Sequence, residues 1–88
     1  MSKFMCSHTF EPGAFSREQI SQLAEASQQD PAVKGHRSFI NLSEGKAVCI
    51  LEAPEKEQVA AWFEKVGMPV DEITSLELEG DHGVVADA

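Results

Sequence analysis

The residues Ser38 to Leu78 read SFINL at 38–42, SEGK at 43–46, AVCILEAP at 47–54, EKEQVAAWFEKV at 55–66, GMP at 67–69 and ITSLEL at 73–78. Two apolar, β-rich runs, His36 to Leu42 and Lys46 to Ala53, flank Ser43-Glu44-Gly45, a short loop whose glycine can take a positive φ. They predict a hairpin. The second run is apolar on both faces, with Ala47, Cys49 and Leu51 on one side and Val48 and Ile50 on the other. A strand of that kind is central in its sheet and covered on both sides. Pro54 suits the first position of a helix, Glu55 and Glu57 favour its positive end, and Val59, Trp62, Phe63 and Val66 form one apolar stripe. Gly67 can take the left-handed C-terminal position and Pro69 stops continuation. Ile73 to Leu78 then predicts a further strand.

Working outward, Lys3 to Phe10 is a strand candidate with Phe4, Cys6, His8 and Phe10 on one face. Ser16 can cap the next helix, Gln19 completes a capping box, and Phe15 can staple onto Ile20. Ile20, Leu23 and Ala24 continue its apolar face, and Gln28 to Gly35 is a loop around Asp30-Pro31. The order is βαββαβ. Right-handed crossovers put the first and third strands in the middle of an antiparallel sheet with both helices on one face. That arrangement is an α+β, ferredoxin-like sandwich in one domain, residues 1–88. Residues 79–88 form a short tail or, through Gly83-Val84-Val85, an extra edge strand. Two helices cover one sheet face only, so the apolar residues of the other face predict a homodimer through it.

The composition narrows the functional classes. Fifteen acidic residues against seven basic ones give a net charge of −8, a field that repels phosphate backbones and argues against nucleic acid and anionic membranes as partners. No apolar run approaches the roughly 20 residues of a membrane span, and Met1 to Cys6 lacks the pattern of a secretory leader. A cytoplasmic location is expected, with Cys6 and Cys49 as thiols. No nucleophile elbow, P-loop or dinucleotide fingerprint is present.

Ser38-Phe39-Ile40, the run Val48 to Pro54, and Val66-Gly67-Met68-Pro69-Val70-Asp71-Glu72-Ile73 resemble a small bacterial family of nickel-binding, ferredoxin-like proteins whose domain has no assigned function. The family shows a serine–aromatic pair, a cysteine in an apolar strand that ends in Ala-Pro, and a helix that closes on Gly, an apolar residue and Pro. The resemblance implies a ferredoxin-like dimer that binds or sequesters nickel, or a similar divalent transition metal, near its surface. No organic cofactor is expected, and binding without catalysis is favoured over an enzyme.

Candidate ligands can also be read from the residues. Cys6 and His8 share a strand face, and Cys49 belongs on the neighbouring strand. Thiolate and imidazole suit nickel, copper or zinc. The same side chains are equally those of a packed core with two inert thiols. His36, after Gly35 at a strand start, can add a surface ligand or simply be solvated. His8 with Glu52 is a conceivable acid–base pair. Two readings compete with metal binding: a small oxygenase or isomerase acting on an apolar molecule in a pocket lined by Phe4, Phe10, Phe39 and Trp62, and a structural or regulatory dimer without a ligand.

Overall fold

The computed structural model describes residues 1–88. Its elements are β1 (Ser2–Thr9), α1 (Arg17–Ser27), β2 (Lys34–Asn41), β3 (Lys46–Ala53), α2 (Lys56–Val66), β4 (Glu72–Ser75), β5 (Leu78–Asp81) and β6 (Val84–Asp87). The first six build an α+β unit around an antiparallel sheet of order β2-β3-β1-β4, consistent with a ferredoxin-like sandwich. The last two form a separate hairpin. The element order is therefore longer than βαββαβ.

Period-two alternation decides which side of the sheet becomes core. Phe4, Cys6 and His8 of β1 and Ala47, Leu51 and Ala53 of β3 are buried on one face, against Val59, Trp62 and Phe63 of α2. Ile20 and Leu23 of α1 pack on that cluster only partly buried. The opposite face carries Met5 of β1, Val48 and Ile50 of β3 and Phe39 of β2. Met5 is 40% exposed and Phe39 54%. No second layer of this chain covers them, as the alternation predicts.

Local signals explain most element boundaries. The capping box forms as expected: the Gln19 N–H donates to Ser16 Oγ at 3.1 Å and the Ser16 N–H donates to Gln19 Oε1 at 2.7 Å. Phe15 stands edge-on to Phe10 with ring centroids 5.1 Å apart. Gly67 closes α2 with φ 73°, and the Met68 N–H donates to the Phe63 carbonyl at 3.0 Å. Gly45 has φ 69°, and a Cβ there would stand 1.9 Å from the Phe10 carbonyl oxygen. The hairpin loop presses against the end of β1, so only glycine fits.

Four boundaries differ from expectation, the first being β2, which begins at Lys34 within the stretch read as a loop. Pro54 precedes the helix instead of opening it, because Glu55 is extended (φ −141°, ψ 161°) and is the N-cap of α2. The run Ile73 to Leu78 is not one strand. Its ladder with β1 ends at Ser75, followed by a bond from the Leu76 N–H to the Lys3 carbonyl at 3.0 Å. Leu78 to Asp81 then pairs with Val84 to Asp87. His82 (φ 50°) and Gly83 (φ 82°) supply the two positive φ angles of a tight hairpin turn. Thus Val84 and Val85 join a new hairpin and not the edge of the main sheet. No helix is long and apolar enough to cross a membrane.

Candidate functional site

Two groups of chemistry-bearing side chains occupy opposite faces of the sheet. On the covered face, the β1–β3 register sets Cys6 directly opposite Cys49 and His8 opposite Ala47. His8 is 2% exposed. Its Nδ1 is 2.7 Å from the Pro69 carbonyl oxygen, so Nδ1 carries the proton and donates. Its ring meets Phe63 edge-on at 4.6 Å between centroids. The other nitrogen, Nε2, is buried with no partner. Burial holds the imidazole below its ordinary pKa, while the Pro69 carbonyl and Asp71 pull the other way.

The thiols are held protonated. Burial, reinforced by the neighbouring Cys49, pushes Cys6 up to about 12. Burial also raises Cys49, against the Ser38 hydroxyl, which donates to its sulfur at 3.5 Å. A thiol must lose its proton to become a good metal ligand. Cys6, His8 and Cys49 thus share one face as expected, but their surroundings favour neutral packing groups. No group of three or more His, Cys, Asp or Glu side chains in the chain is placed to hold one ion.

On the open side, a β-bulge between Gly35 and Arg37 makes His36 an extra residue in β2. Gly35 pairs with Leu51 and Lys34 with Glu52. Freed from strict alternation, His36 reaches Glu52, with Nε2 3.3 Å from Oε2. Both side chains remain about one-third exposed, at 37% and 32%. Arg37 follows, its guanidinium 5.1 Å from the centre of the Phe39 ring. The His8–Glu52 pair considered from the sequence does not form, because the two residues lie on opposite faces. Glu52 is instead the partner of His36. An unbroken register from the 43–45 loop would set His36 against Leu51 on the covered side; the bulge reverses that.

The pocket expected from Phe4, Phe10, Phe39 and Trp62 is also absent as such. Phe4 and Phe10 are core, and Phe39 projects from the other face. A cavity lies instead between α1, α2 and the sheet and is lined by Trp62 and Cys49 among others.

No curated protein matches the chain. Among solved structures, SCO4226 from Streptomyces coelicolor A3(2) superimposes with a TM-score of 0.72 at 24% identity, covering 90% of this chain and 100% of that one. At this identity the likeness establishes a shared fold. The family model described as nickel responsive protein SCO4226-like matches residues 4–76, from within β1 to the end of the β4 region. A match of that extent places the chain in the SCO4226-like family of nickel responsive proteins.

Proposed function

We propose that this protein binds nickel(II) at the rim of its open sheet face, as a pair of chains joined through that face and without catalysing a reaction. The observation that carries the reading is the His36–Glu52 pair, 3.3 Å apart and accessible to solvent. Imidazole nitrogen suits nickel, and a carboxylate beside it supplies a second donor and a negative charge. The family's description as nickel responsive supports the choice of metal. One chain offers two such donors. A second copy would bring its own, and water can complete the shell.

The open face supports the pairing. Met5, Val48, Ile50 and the exposed Phe39 form an apolar strip with no cover in the chain, and a small domain with such a strip gains by burying it against a copy of itself. Cys6, His8 and Cys49 then serve as core on the far side of the sheet.

Calorimetry with nickel chloride tests the site. His36→Ala and Glu52→Gln should each weaken binding at least tenfold, or about 1.4 kcal/mol, while His8→Gln leaves affinity unchanged in whatever fraction folds. Because only neutral imidazole ligates, affinity should also fall in acid. Absence of heat with millimolar nickel on the wild type, or undiminished binding in both rim variants, overturns the reading. Light scattering tests the pairing separately, against the 9.6 kDa of a single chain.

A further inference from the structure

The cavity beneath α1 is unused by the nickel reading. It measures about 80 Å³ and is walled by Ile20 and Leu23 of α1, Trp62 and Val66 of α2, and Ser38 and Cys49 of the sheet. No charged side chain lines it. It is a part-enclosed cleft that opens to solvent between α1 and β2, with an almost wholly apolar lining. Water gains little in its apolar depth, because a held water needs two to four polar partners.

The polar groups that reach it are few. The Ser27 hydroxyl is occupied, donating to the Ala24 carbonyl at 2.7 Å. The Ser38 hydroxyl, exposed at the rim, donates to the Cys49 sulfur at 3.5 Å, a weak acceptor. Burial raises the thiol itself, so the wall is neutral there. One exposed hydroxyl at the rim of an otherwise apolar wall can orient a small, mostly apolar molecule by a single hydrogen bond.

An entrance exists. Ala24, Ser38 and Ile40 line the cavity yet are exposed, which places its mouth between α1 and β2. α1 is also the lightly held helix. Of its residues only Ser27 is buried, whereas α2 buries Val59, Trp62 and Phe63. Size limits the guest. Drug-sized ligands occupy roughly 300 Å³ or more, and an apolar cavity of about 150 Å³ takes up benzene. A single ring enters this one only as α1 yields or by leaving part of itself in the mouth.

We propose that this cavity binds a small uncharged molecule, no larger than one ring, with an apolar body and one hydroxyl or carbonyl group that engages Ser38. The test is a backbone NMR titration of the full chain, without nickel, using phenol and its apolar near-isostere toluene. Phenol should cause saturable shifts centred on Ile20, Leu23, Cys49 and Trp62 and bind at least threefold more tightly than toluene. Ser38→Ala should erase that preference while keeping toluene binding. Ala24→Leu, at the mouth, should abolish both, with circular dichroism confirming the fold. Shifts that never saturate, shifts centred elsewhere, or equal phenol affinity in wild type and Ser38→Ala overturn the proposal. So does undiminished binding in folded Ala24→Leu. Should that variant unfold, the Ser38→Ala comparison alone decides.

Discussion

The two faces of the central sheet use the same residue types for different ends. On the covered face an imidazole and two thiols are packed among Phe4, Leu51, Val59 and Phe63, and burial drives all three towards their neutral forms. On the open face an imidazole and a carboxylate meet in partial contact with water. Histidine at position 8 fills the core with one satisfied nitrogen; histidine at position 36 stands at the surface beside a carboxylate. The type of residue does not decide its role. The desolvation cost of a charged form does, and that cost is set by which face the pleat assigns.

Mutation can test this asymmetry directly. The largest effect is expected from Phe63→Ala, which removes a buried ring and the edge contact with His8 and should cost about 3–5 kcal/mol. A domain of this size has little more than that to lose, so chemical denaturation should find the variant largely unfolded. Phe39→Ala, on the other face, should cost well under 1 kcal/mol in the isolated chain. A comparable loss at the two positions in a monomeric sample would end the contrast between the faces.

Alkaline titration comes next. Cys6 rises from 9.0 in the unfolded chain to about 12 in the fold. Stability from this group is complete below pH 9.0 and is lost as pH climbs from there towards 12, because the unfolded chain releases a proton that the fold retains. The slope is about 1.4 kcal/mol per pH unit. Urea midpoints measured across that window for wild type and Cys6→Ala should diverge at neutral pH and converge as pH rises. Parallel curves would mean that Cys6 is more accessible than its burial implies.

A smaller effect of opposite direction belongs to His8. Its pKa is lowered by burial from 6.5, so the unfolded chain binds a proton that the fold resists. Stability is full above about pH 6.5 and falls as pH drops from there towards the folded value, below which the loss levels off. His8→Gln should remove this segment of the pH profile. The smallest change is expected at the rim: His36→Ala should alter stability by less than about 0.5 kcal/mol, as exposed ion pairs contribute little. Its consequence should appear in nickel affinity alone.

Much of this architecture was readable from the chain before its structure. Ser16 with Gln19 announced α1, Gly67 with Pro69 announced the end of α2, and the two-faced apolar pattern of Ala47 to Leu51 announced a central strand. These are local effects, in which a residue acts on neighbours within one turn or pleat. What escaped were effects of registration. Nothing in Gly35-His36-Arg37 announces a bulge, so the partner of Glu52 was not foreseeable, and alternation alone sends His36 to the wrong side. The break after Ser75 depends on where the ladder with β1 ends. The cavity under α1 arises from how lightly one helix rests on the sheet, a tertiary property with no residue of its own.

The bulge at position 36 has a consequence for how such a surface can change over generations. Every other residue of β2 is bound by the pleat to one side or the other, and a change in its character must suit what already lies there. Position 36 is supernumerary: the ladder passes from Gly35 to Arg37 around it. Substitutions there can alter the chemistry of the rim without asking the interior to adjust. A lineage can therefore explore surface chemistry at that point through intermediates that all fold, and the sheet supplies one site of free experiment within an otherwise committed strand.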